Sequence, residues 1–166
     1  VPWQVVCEEV GAHLRVIEVD DDGRLILNAK GTTELSGGKL VVTTGGLADL
    51  LDDKVKLVAV TAVSNVLGTI TPMNEMVKMI RSKAKNAKIL VDGAQLVPHM
   101  KVDVSQMGVD FMAFSGHKML APTGSGGLWG RKEILNEMKP FLYGGDMIGE
   151  VRLVGTSFAG LPSKFE

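Results

Sequence analysis

Apolar positions along the chain fall into two periods, and the period changes at turn residues. Val1, Trp3, Val5, Val6 and Val10 recur at helical spacing and predict an opening helix with Cys7 in its core-facing pattern. HLRVIEV (13–19) reads as a strand and DDDGR as the turn after it, because Asp and Gly clusters favour turn geometry. Residues 25–46 are polar and glycine-rich without a helical period. KGTTELSGGKLVVTTGG within them is expected to be a surface loop with a short hairpin, and about 28–46 a variable insertion. LADLLDD predicts a short helix, and KLVAVTAV (56–63) is a continuous apolar run of strand length, the pattern of a strand buried on both faces. In 72–86 a proline at the first turn precedes Met73, Met76, Val77 and Ile80, again at helical spacing. AKILVD (87–92), FMAFS (111–115) and GGLWG (126–130) read as further strands, and KEILNEM as a last short helix. Strands alternating with helices point to an α/β fold, a three-layer α/β/α arrangement on a mostly parallel sheet.

Composition narrows the partners more than the fold. The chain has 166 residues, 45% of them hydrophobic and 22% charged, with a formal net charge of −1, the make-up of a globular domain with a real core. No basic block or Lys/Arg stripe interleaved with aromatics offers the footprint that nucleic acid needs. No apolar run reaches bilayer-spanning length, so no membrane partner is expected and a cytoplasmic or organelle-stroma setting is the default. One cysteine makes neither an internal disulfide nor a thiolate metal site, and no metal is expected.

Ligands of parallel α/β sheets gather outside the carboxyl ends of the strands. Three such ends carry polar side chains here. TAVSNVLGT closes one strand with Ser64 and Asn65, VDGAQ another with Asp92 and Gln95, and FSGHK a third with Ser115, His117 and Lys118. Each has a plain structural reading: a turn closed by an Asx bond, a helix N-cap, a turn with a solvated lysine. Together they bring an amide, an acid, a hydroxyl, an imidazole and an amine to one edge of one sheet. An aspartate that closes an apolar strand is costly to bury unpaired, and a lysine among apolar neighbours calls for a partner. A desolvated lysine forms Schiff bases with carbonyls, and a buried carboxylate is the usual partner of a pyridinium nitrogen, which describes a pyridoxal phosphate (PLP) site.

VPWQ, AVSNVLGT, ILVDGAQLVPHMKVDV, DFMAFSGHKMLAPTGSGGLWG and FLYGGDMI resemble the large domain of the group II cysteine desulfurases and selenocysteine lyases, fold type I enzymes of aminotransferase class V. The resemblance covers nearly the whole chain outside 28–46. It implies that Lys118 is the Schiff-base lysine and proton shuttle, that Asp92 holds the protonated ring nitrogen, and that Gln95 bonds the cofactor's phenolic oxygen. Ser115 and His117 would contact its phosphate, and Asn65 would lie near the substrate carboxylate or the ring. Ala62 stands where many members of that group have a histidine.

The implied activity is release of sulfur from L-cysteine, giving alanine and an enzyme persulfide for iron–sulfur cluster assembly, with a homodimer and a sulfur-acceptor protein as partners. The resemblance further implies that residues 1–166 are part of a PLP-binding large domain whose N-terminal segment and small domain lie outside them. The stacking histidine, the nucleophilic cysteine and the substrate-binding arginine would lie there too. Residues 1–166 alone are then expected to bind PLP weakly and to release no sulfur. Alternative readings are another class V PLP enzyme (an aminotransferase, selenocysteine lyase or kynureninase-like enzyme) or a cofactor-free structural module. SNVLGT, PTGSGGLWG and GGDMI favour the desulfurase.

Overall fold

A computed structural model describes residues 1–165, which form two compact units divided after Leu128. The first unit opens with helix α1 (Pro2–Val10), with proline in its first turn and Gly11 in the left-handed conformation at its end. Strand β1 (Leu14–Ile17) pairs in parallel with β3 (Leu40–Gly45), which pairs antiparallel with β2 (Thr32–Gly37), giving a three-stranded sheet of order β1-β3-β2. The glycine-rich stretch is therefore a hairpin, and its second strand is the middle strand of a sheet. Glu18 helps hold it, accepting hydrogen bonds from Lys30 Nζ (2.7 Å) and Thr44 Oγ1 (2.8 Å). The Lys30 bond, then the Thr44 bond, hold the Glu18 carboxyl below its ordinary pKa.

After the one-turn helix α2 (Leu47–Leu50), a second sheet has the order β4-β5-β6-β7, made of β4 (Leu57–Thr61), β5 (Lys88–Asp92), β6 (Phe111–Ser115) and β7 (Gly126–Gly130). β4, β5 and β6 are parallel. Helix α3 (Met73–Lys83) links β4 to β5 and buries Met76 and Ile80 completely, as the spacing predicts. Glu75 in its first turn and Arg81 and Lys83 in its last complement the helix dipole. The core gathers around Met76, Ile80, Ile89, Val91 and Val109. Helix α4 (Leu96–His99) follows β5 as a single turn.

Two expectations are corrected. β4 is not buried on both faces: Val58 and Val60 are buried, whereas Leu57, Ala59 and Thr61 between them are exposed. β4 ends its sheet and β1 ends the other, and both line a cavity of about 1170 Å³, walled also by Trp3, Val6 and Val10 of α1. For the same reason α1 has no buried residue, and Cys7 is half-buried rather than a core side chain.

The second unit holds α5 (Lys132–Glu137), where the sequence predicts it, and a two-stranded antiparallel sheet of β8 (Ile148–Val151) and β9 (Thr156–Phe158). Lys164 Nζ donates to the carbonyls of Leu135 (3.2 Å) and Asn136 (2.8 Å), which end α5. Among the described residues no helix is long and apolar enough to cross a membrane.

The second sheet is pinned where β5 and β6 begin. Asp110 is nearly buried, and its Oδ2 accepts from Arg81 (2.7 Å) and from Ile89 N (2.7 Å), while Arg81 also donates to the carbonyls of Ala87 (2.7 Å) and Gly108 (3.0 Å). Removing one partner of such a pair strands the other, and Arg81 is a third exposed, so Asp110→Ala should cost about 3 kcal/mol, the lower end for buried pairs. Urea unfolding of the variant checks this, and a loss below about 1 kcal/mol would show the pair to behave as a surface contact.

Glu18 gives a pH-dependent counterpart. Because its folded pKa is depressed, its contribution to stability is complete above the unfolded value of about 4.3 and is lost as the pH falls through the folded value. The melting-temperature difference between wild type and Glu18→Gln should be constant from neutrality to about that pH and shrink below it.

Candidate functional site

The parallel register places Thr61 beside Asp92 and Asp92 beside Ala113, so β4, β5 and β6 deliver their carboxyl ends to one sheet edge. All the residues singled out in the sequence lie on the segments leaving that edge.

Beyond β4, Ser64 closes the turn: its Oγ accepts from Val66 N and Leu67 N, both at 3.2 Å. The turn bond expected from an Asx side chain is made by this serine hydroxyl, and Asn65 is exposed. Thr71 Oγ1 ties the returning chain to Thr61 O at 2.7 Å.

Beyond β5, Asp92 is exposed, not buried as the apolar run before it suggests. The strand ends where the sheet meets solvent, and the carboxylate is solvated there. It is not a helix cap either. Gln95 occupies the N-cap position of α4, whereas Asp92 Oδ1 accepts from Ala94 N (2.9 Å) in an Asx turn, leaving Oδ2 open. Gln95 is half-buried, and its carbonyl accepts from His99 Nδ1 at 2.7 Å.

Beyond β6 the chain turns tightly through a 3₁₀ segment, Gly116–Met119. Gly116 N donates to Ser125 O (2.9 Å), and a side chain at Gly116 would run into Ser125, so only glycine lets the two segments approach. Ser115 Oγ lies 2.8 Å from His117 Nδ1, and His117 is exposed. Lys118 is exposed, and its amine makes no hydrogen bond or ion pair among the described residues, so the partner expected for it is not supplied by this edge. Leu120, with φ 66°, ends the turn in a left-handed conformation that a bulky side chain rarely adopts. α4 lies against this turn, bringing the Asp92–Gln95 and Ser115–Lys118 segments together.

The profile of the aminotransferase class-V family matches residues 1–166. The chain belongs to this family. It is 44% identical over 166 residues to a cysteine desulfurase of Haloferax volcanii, covering all of this chain and 34% of that protein. It is 45% identical over 167 residues to a cysteine desulfurase of Salmonella dublin, covering all of this chain and 36% of that one. The apo structure of a cysteine desulfurase from Thermococcus onnurineus NA1 superposes with a TM-score of 0.79 at 36% identity, over 99% of this chain and 36% of that one. The chain thus spans about a third of the length of these relatives, and its α/β fold is that of the cysteine desulfurases.

One contact of this class-V edge has no trace in the sequence pattern. Thr69 Oγ1 donates to Gly23 O (3.2 Å) across 46 positions, joining the DDDGR turn to the loop that carries Asn65. Hydrophobic periodicity reports which face an element buries and is silent about loop-to-loop contacts.

Proposed function

We propose that the protein of which these residues form part is a PLP-dependent cysteine desulfurase. The observation that carries this reading is the donor set on one sheet edge: an amine with no partner among the described residues, a carboxylate with one oxygen open, a hydroxyl–imidazole pair and an amide. That set fits PLP group by group. Lys118 would attach the cofactor covalently, Asp92 would keep a proton on the ring nitrogen, Gln95 would bond the phenolic oxygen, Ser115 and His117 would meet the phosphate, and Asn65 would lie on the substrate side, near the substrate carboxylate or the ring. When bound, PLP supplies an electron sink for the bonds at the substrate Cα.

The chain's own groups do the rest. Asp92, held in orientation by Ala94 N, supplies the negative charge that favours a protonated ring nitrogen. The Lys118 amine, which has no partner among the described residues, would move the Cα proton as base and then acid. Sulfur transfer breaks the substrate's C–S bond and forms an S–S bond to an acceptor thiol, and alanine leaves with a proton in place of sulfur. Cys7 is not given that acceptor role, since α1 is not among the segments leaving the three strand ends.

Use of L-cysteine belongs to the same proposal and is supported by the named relatives. Homodimerisation, delivery of sulfur to an acceptor protein for iron–sulfur cluster assembly, and a cytoplasmic or stromal setting are further parts of it. So are the reading of residues 1–166 as part of a PLP-binding large domain and that of about 28–46 as a variable insertion. Alanine production separates this reading from elimination, which leaves a keto acid.

In the complete protein, Lys118→Ala should lose both the yellow covalently held cofactor and turnover, by at least about 100-fold. Borohydride reduction followed by unfolding reads the attachment, and a pyridoxyl group left covalently on the variant chain, detected by its mass, would move the role to another lysine. Asp92→Asn should keep the cofactor but lower alanine formation by about 100-fold or more, because an amide supplies no charge to hold the ring proton. Near-normal turnover in that variant would leave Asp92 as a turn residue only.

A further inference from the structure

The loop leaving β4 is exposed over residues 65–68 and yet tied at both ends. Inside it, Ser64 Oγ takes the amides of Val66 and Leu67, Ser64 N donates to Thr69 O (2.9 Å), and Gly68 N donates to Ser64 O (3.1 Å). Outside it, the Asp20–Arg24 turn meets it at two points. Thr69 Oγ1 donates to Gly23 O, and the tip of Leu67 rests on Gly23 so closely that a methyl group at residue 23 would collide with Leu67 Cδ1.

That turn is built to hold its shape. Asp20 Oδ1 accepts from Asp22 N (3.0 Å) and Arg24 N (2.8 Å), Asp20 N donates to Arg24 O (2.9 Å), and Gly23 takes φ 74°. It is an internally closed turn extending from the β1-β3-β2 sheet, against which a loop of the other sheet leans.

We propose that the Asp20–Arg24 turn is a clamp that positions Asn65: Gly23 supplies a carbonyl for Thr69 and a side-chain-free surface for Leu67, fixing the loop at the substrate side of the edge. Gly23, Leu67 and Thr69 are positioning residues that act through Asn65 and touch no reactant. The inference rests on the substrate-side reading of Asn65 given above. Loosening the clamp lowers the fraction of molecules whose loop is in place, and apparent substrate affinity falls by that fraction while the lysine-held cofactor is undisturbed.

The test uses the complete protein with Thr69→Val, Thr69→Ser, Leu67→Ala and the Thr69→Val/Leu67→Ala pair. Thr69→Val should raise KM for L-cysteine by about five-fold, the scale set by one neutral hydrogen bond, with kcat and cofactor absorbance unchanged. Thr69→Ser, which keeps the hydroxyl, should restore the wild-type KM, Leu67→Ala should raise KM, and the pair should raise it further. Amide exchange on the cofactor-free protein should accelerate at Val66 and Leu67 in the Val and Ala variants and not at Ile89 in the core. Faster exchange with unchanged KM makes the contact a stabilising one only and overturns the positioning role. A raised KM without faster exchange overturns the clamp as its cause. If the wild-type protein forms no alanine from cysteine, the desulfurase reading fails by itself. The exchange measurement then decides the clamp, and unchanged exchange overturns it.

Discussion

The Asp110 carboxylate is the point from which the second sheet takes its register. It accepts from the amide of Ile89 on β5 and from Arg81 on α3, while Asp110 N donates to Ile89 O (2.9 Å), so helix and both strand entries meet at one ion pair. From there the ladder runs Leu90 to Phe111, Val91 to Met112 and Asp92 to Ala113. A slip of one residue would turn every side chain on β5 to the opposite face and carry Asp92 away from the segment that ends in Lys118. The arrangement of the carboxyl edge thus depends on a bond made three residues away at the other end of the strands.

The two ends of the sheet are stabilised by different means, and the difference suits the proposed cofactor-binding edge. At the entry, Arg81 and Asp110 are engaged with main chain and with each other. At the exit, the turns are held largely by backbone amides and small polar groups: the Ser64 hydroxyl on two amides, one Asp92 oxygen on a third, Ser125 O on the amide of Gly116. The loops keep their shape while Asn65, one oxygen of Asp92 and the Lys118 amine stay available. Function-bearing loops on a rigid scaffold show this division in general.

The elements whose position follows from local chemistry were readable from the sequence. Proline and the Met73–Met76–Val77–Ile80 spacing mark α3, the apolar runs at 89–91 and 111–114 mark β5 and β6, and the polar residues after three strands fall on one edge because those strands are parallel. Side-chain contacts between distant segments left no such mark. Nothing in the spacing of Arg81 and Asp110, or of Gly23 and Thr69, distinguishes them from solvated polar residues, since each pair meets only after the chain has folded. The exposure of Asp92 and Lys118 escaped for a related reason: an apolar run ends where burial ends, and the residue after it can lie on either side of that boundary.

The remaining departures share one physical origin, in β4 and α1. Apart from Lys56 and Thr61, KLVAVTAV is apolar on both faces, which is what a strand covered on two faces requires, yet Leu57 is 40% exposed beside buried Val58. The Val5, Val6 and Val10 face of α1 is likewise exposed, and Cys7 with it is only half-buried. Of these, Val6, Cys7, Val10, Leu57 and Val58 line a single apolar cavity, to which β1 also contributes, and β1 and β4 are both edge strands. Periodicity reports the surface an element is suited to bury. Whether that surface is covered is decided by the packing of other segments around it, which the spacing of apolar residues along one element does not encode.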